Sequence, residues 1–146
     1  MLTPDQQDKI DYLLQQVEDL KEVSQAVLNF TSAEELFYFA SQYNWDDGLE
    51  IPDIVANHPL CDLATALLLF WRAEAADSME NIQADSPPFE GQEDWFNFCK
   101  TITSRLLDGY YKPGPNSFAP ELTRIQRYKY EKQGVSPLLL DGIDEI

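Results

Sequence analysis

A chain of 146 residues with 44% hydrophobic and 12% aromatic side chains can bury one real core, which excludes a disordered acidic tail. Ten basic residues against 26 acidic ones give a formal net charge of −16, and that sign disfavours nucleic acid, whose phosphates demand a basic patch. The longest apolar run, Leu63 to Trp71, falls well short of the roughly 20 residues of a membrane span, so it predicts a buried helix and no membrane segment.

The opening residues, MLTPDQQDKI, lack the basic and apolar regions of a secretory signal. Cys61 and Cys99 are far apart and suit reduced, buried thiols. Both features point to the cytoplasm, where the sequon Asn29-Phe30-Thr31 is coincidental. From Thr3 the chain predicts a long amphipathic helix, with Thr3 as cap and Pro4 in the first helical position. Asp5, Asp8 and Asp11 are spaced by threes, which fits partners of the helix dipole better than a carboxylate cluster. Ile10, Leu13, Leu14, Val17, Leu20, Val27 and Leu28 mark its buried face. NFTSAEEL then restarts the chain, with a capping box from Thr31 and Glu34 or from Ser32 and Glu35. The next helix carries Leu36, Phe37, Phe39, Ala40 and Tyr43 into the string YNWDDGLEIP.

IPDIVAN predicts a short helix with Pro52 in its first turn. At NHPLCD, Pro59 stops the helix and Asp62 is placed to cap the next one. That helix, Leu63 to about Ala76, is apolar on nearly every side up to Arg72 and should be the central element. ADSPPFEGQ reads as a flexible loop. EDWFNFCKTITSRLL predicts a helix with Trp95, Phe98, Cys99, Ile102 and Leu106 on one face. DGYYKPGPNSFAP is irregular, with Tyr110 and Tyr111 partly exposed. Pro120 and Glu121 open a last helix that ends at Gly134, and the tail SPLLLDGIDEI is apolar enough to dock and acidic enough to fray. Alternation of period two is absent, so the fold class is all-α. We expect a single domain over residues 1–146, a compact bundle of about six helices around the helix at 63–76, with residues 135–146 partly flexible.

Few residues qualify as chemistry. His58 and Cys61 straddle a tight corner, but a nucleophilic pair needs an orienting third group, and the plainer reading is a polar corner residue beside a small apolar plug. A zinc site from His58, Cys61 and Asp62 lacks a fourth ligand and the usual spacing. Setting Gly48 at the sixth position of a calcium loop puts Tyr43, Trp45 and Ile54 where oxygen ligands belong, so that template fails. Phosphate loops and nucleophile elbows are absent. Asp46 with Asp47 or Glu50 is the carboxylate pair to test for acid–base or cation work. Against it stands a structural reading: Gly48 ends a helix, Asn44, Asp46 and Asp47 bond local amides, and Trp45 packs inward. No metal ligands and no cofactor are expected.

The strings YNWDDG at Tyr43–Gly48 and NHPLCD at Asn57–Asp62, followed by the apolar helix, resemble a bacterial family known only as domain of unknown function 4274. The resemblance implies a small helical domain and brings no activity or catalytic residues with it.

Charge placement supplies the functional expectation. Residues 1–99 hold 20 acidic and three basic side chains, whereas residues 100–146 hold six and seven. An acidic body steers basic partners. The expectation is therefore a non-enzymatic protein-binding module, in its sharpest form an immunity-type inhibitor of a basic toxin, with Asp46, Asp47 and Glu50 near the partner surface. The alternative is an enzyme or cation-binding protein using Asp46, Asp47, Glu50, His58, Cys61 and Asp62. A homodimer, through the Ile10-to-Leu28 face or the Tyr110–Tyr111 loop, is a third option.

Overall fold

A computed structural model describes residues 2–88 and 90–144. Among these the chain is all-α, with helices α1 (Pro4–Gln16), α2 (Leu20–Leu28), α3 (Ala33–Gln42), α4 (Glu50–Ala56), α5 (Leu63–Arg72), α6 (Met79–Ala84), α7 (Glu93–Leu107), α8 (Arg124–Lys132) and α9 (Pro137–Asp141). The one extended pairing among them is an isolated antiparallel bridge between Phe118 and Ile143. No helix is long and apolar enough to cross a membrane among the described residues.

The helix count exceeds the expected six because polar residues interrupt what periodicity alone joins. The long first helix is two. Thr3 opens α1 through a reciprocal capping box with Gln6. Val17 then turns extended, and the Asp19 carboxylate accepts from the Lys21 amide to start α2. Ser32 caps α3, while Glu35 reaches back to the Thr31 amide. The central helix stops at Arg72 and does not reach Ala76. Glu74 takes a left-handed conformation at φ 62°, and the chain bends into a 3₁₀ turn, Ala75–Ser78, that buries Ala75 and Ala76 before α6. The last long helix starts at Arg124, later than expected, because Thr123 and Gln126 form its capping box.

Every residue of α5 from Ala64 to Phe70 is buried. The helix packs against α3, α4 and α7, with α1 laid on α3 and α2 on α4. That arrangement matches the expected hub. Tyr111 differs from expectation: it is buried at 4% exposure while its neighbour Tyr110 stands 60% exposed. Within the loop between α6 and α7, Phe89 lies outside the described residues, as do Met1, Glu145 and Ile146.

Most of the tail is docked. Val135, Leu139 and Leu140 are buried, the Trp71 indole Nε1 donates to the Leu139 carbonyl at 3.0 Å, and the Phe118 and Ile143 amides exchange bonds with each other's carbonyls at 2.9 and 2.8 Å. The substitution Leu139→Ala should therefore destabilise the whole domain by about 2–5 kcal/mol, read by chemical denaturation. A loss under about 1 kcal/mol would place the tail outside the cooperative unit.

Candidate functional site

The string at 43–51 is a corner built on aromatic packing. Phe30, Phe39, Tyr43, Trp45 and Phe98 form a chain of ring contacts with successive centroids 5.7, 6.0, 6.2 and 6.0 Å apart. Tyr43 and Trp45 thus carry the packing from α3 to α7. The Tyr43 hydroxyl donates to the Gly48 carbonyl at 2.9 Å, and burial pushes that phenol up to about 12, with the charges of Asp47 and Glu50 adding to the shift. Asn44 caps a 3₁₀ turn, Trp45–Asp47, by accepting from the Asp46 amide. Gly48 leaves that turn at φ 105°, ψ −177°, a region open essentially to glycine alone.

The carboxylates of this corner face water. Asp46 and Asp47 are exposed, and neither carboxylate is hydrogen-bonded or ion-paired among the described residues. Glu50, the first residue of α4, opens onto a separate shallow cleft with Asp53 and Asp94.

The second string is buried. Asp62 is 6% exposed, and its carboxylate accepts four hydrogen bonds: from the Thr65 amide and hydroxyl at 2.9 and 2.7 Å, and from the Asn116 amide and side-chain Nδ2 at 3.3 and 2.9 Å. His58 is also buried. Its Nδ1 accepts from the Leu60 amide at 3.0 Å, which leaves Nε2–H to donate to the Val27 carbonyl at 3.1 Å. Cys61 sits beside it; burial and the neighbouring Asp62 charge push its thiol well above the usual range. Cys99 is likewise pushed up to about 12 by burial. A thiol so placed is a poor nucleophile at neutral pH.

The two strings therefore do not converge. His58, Cys61 and Asp62 line a cleft with Tyr110, Tyr111 and Lys112, away from the clefts that hold Asp47 and Glu50. Among the described residues no group of three or more His, Cys, Asp and Glu side chains is placed to hold a metal ion.

A different feature joins Asp47 to the rest of the molecule. A groove of about 550 Å³ runs between α1, the start of α2 and the 43–51 corner. Its walls mix partly exposed apolar side chains, Leu14, Val17 and Leu20, with the polar Gln15, Gln42 and Asn44, over Leu13, Phe39 and Ile51 buried beneath. Its rim carries three acids, Asp11, Glu18 and Asp47. Asp11 is engaged by the Tyr38 hydroxyl at 2.7 Å; Glu18 and Asp47 are exposed and unpaired among the described residues. Sequence reading misses this site because a continuous first helix would have no gap at Val17–Asp19. The available signal is Asp19 followed three residues on by Glu22, the pattern of a helix start.

The family described as "Domain of unknown function (DUF4274)" matches residues 31–107, more than half of the sequence, and the chain belongs to that family. Both strings lie inside the matched stretch. No curated protein and no solved structure matches the chain.

Two measurements follow from the second corner. Asp62→Ala strands two backbone amides, a hydroxyl and a side-chain amide, each worth about 1–3 kcal/mol when left unsatisfied in the interior, so a loss of more than about 3 kcal/mol is expected in chemical denaturation. Asp62→Asn, which keeps one acceptor oxygen, should cost less; equal costs would mean the carboxylate is not the staple. Separately, native Cys61 and Cys99 should react with a soluble thiol reagent at pH 8 at least roughly 100-fold more slowly than in the denatured chain. Fast labelling of native Cys61 would revive it as a nucleophile.

Proposed function

We propose that this protein is a non-enzymatic binding module whose groove between α1 and the 43–51 corner takes a basic, amphipathic segment of a partner protein. The observation that carries this reading is the pairing of three partly exposed apolar side chains, Leu14, Val17 and Leu20, with two free carboxylates, Glu18 and Asp47, at the groove's rim. Apolar side chains of an incoming helix pack on those three, and its flanking lysines or arginines meet the rim. The surrounding acidic body raises the encounter rate with a cationic partner. Asp46, one residue from the rim, and Glu50, on the neighbouring cleft, extend the same field.

An immunity-type inhibitor of a basic toxin is the narrower form of this proposal, with the occupant a cationic element of the toxin. The cytoplasm is its proposed setting, consistent with two free, buried thiols. The alternative, an enzyme or cation-binding protein using Asp46, Asp47, Glu50, His58 and Cys61, gains no support from geometry, since Asp47, Glu50 and the His58–Cys61 pair line three separate clefts and Asp46 lines none of them.

A synthetic helical peptide with leucines at three- and four-residue spacing and flanking lysines should bind the full chain, with affinity falling as salt rises. Charge reversal in E18K/D47K should weaken it at least roughly tenfold, about 1.4 kcal/mol, in fluorescence anisotropy. Equal binding of a peptide with glutamates in place of the lysines would remove charge complementarity as the basis of recognition.

A further inference from the structure

The occupant profile set by the groove is an amphipathic helix with apolar anchors and flanking cations, and one such helix is on the molecule itself. Helix α8, RIQRYKYEK, has no buried residue. Its anchors are Tyr130 and Arg127. The Tyr130 hydroxyl donates to Asp77 at 2.8 Å and the Tyr130 ring meets Trp71 at 5.3 Å, while Arg127 pairs with Glu131 and Asp141. Away from those anchors stand Ile125 at 68% exposure and Tyr128 at 57%, three residues apart and so on one face. Lys132 lies over the Tyr128 ring at 5.4 Å. Arg124 and Lys129 are exposed and unpaired among the described residues.

We infer that the outward face of α8 on one copy of this chain seats in the α1–corner groove of a second copy. The inference rests on the groove reading given above and adds its occupant: Ile125 and Tyr128 on Leu14, Val17 and Leu20, Arg124 and Lys129 against Glu18 and Asp47. A nine-residue helix is about 14 Å long and would not hold its shape alone. Tyr130 and Arg127 hold it in advance, which lowers the ordering cost of docking. Charge complementarity is the observation that selects a second copy. The basic stripe has few counterparts in a chain with 26 acidic residues, and the acidic groove finds its cations where the chain concentrates them. The contact joins two different surfaces, so it builds either a reciprocal pair or a head-to-tail chain.

Opposing this contact is the general repulsion of two copies that each carry −16. The two forces differ in range. At physiological salt the screening length is about 8 Å, which damps the repulsion between whole molecules and leaves the close pairs. Association should therefore be weakest at very low salt, pass through a maximum near physiological ionic strength, and decline at high salt as the close pairs are screened.

Sedimentation of the full chain up to roughly millimolar concentration tests this with two charge-reversed variants, R124E/K129E and E18K/D47K. All four positions are exposed, and thermal melts establish that both variants remain folded. Each variant alone should associate at least tenfold more weakly than the unaltered chain. Mixed in equal amounts they should associate again, because each then finds the complementary surface on the other, although both remain net acidic. A monomeric unaltered chain at every salt concentration overturns the inference, as does association that survives R124E/K129E or a mixture that stays monomeric. The lysine-flanked peptide separates this failure from that of the groove. A monomeric chain that still binds the peptide keeps the groove and loses the second copy as its occupant. Association that persists in E18K/D47K places the contact elsewhere.

Discussion

One buried carboxylate fixes how this chain closes on itself. Asp62 begins the central helix, and a cap there needs only one acceptor oxygen for the Thr65 amide. Its second oxygen takes both nitrogens of Asn116, which lies 54 residues further along the chain. Asn116 in turn donates to the Ala33 carbonyl at the first residue of α3. The loop comes this close because residue 114 is glycine: a Cβ there would lie 2.8 Å from Asp62 Oδ2. An uncompensated charge at this depth would cost several kcal/mol. With all its bonds made, it specifies the position of three segments at once. Leu63 adds a further tie to the same loop, its amide donating to the Lys112 carbonyl at 2.8 Å.

The neighbouring corner repeats the logic with other side chains. His58 joins its own turn to the end of α2 through the Val27 carbonyl. Tyr111 and Arg105 both reach the Ala56 carbonyl at the last turn of α4. The string that a chemist would read as histidine, cysteine and aspartate is thus consumed by architecture. In the first string the division of labour differs: Tyr43 and Trp45 pack, Asn44 and Gly48 shape the turn, and the carboxylates are left outward. The groove that results is assembled from two sources. Phe39, Asp47 and Ile51 lie within the family's matched stretch, whereas Leu13 and Leu14 of α1 and Val17 and Glu18 of the break after it precede that stretch.

Much of this could be read from sequence, and what could not has a common cause. Most capping signals hold. Thr3 and Asp62 cap the helices expected of them, Ser32 is the one of the two candidates, Thr31 and Ser32, that caps α3, and Ala64–Phe70 is the buried hub, whereas Pro120 and Glu121 do not open α8. Breaks inside continuous apolar periodicity were harder, because periodicity records which residues are buried and not whether the backbone between them stays helical. Val17–Asp19 and Glu74 are such breaks. Long-range partners left no local trace at all: nothing near Asn116 announces Asp62. Tyr110 and Tyr111 make the same point, since adjacent identical residues separate into one exposed ring and one buried ring only when the corner beneath them is known.

The scarcity of cations explains where the acidity is left to act. Ten basic residues cannot neutralise 26 acids, and the fold spends several of them on helix ends instead. Arg72 donates to the Ser41 carbonyl in the last turn of α3, Arg105 to Ala56 at the end of α4, and Lys112 to Gly109 just past α7. Each of these sites has unsatisfied carbonyls and the negative end of a helix dipole, where a positive charge gains most. Carboxylates such as Asp46, Asp47 and Glu18 consequently remain without internal partners among the described residues. They are left to set the field around the groove, where Leu14, Val17 and Leu20 stand partly exposed beside them.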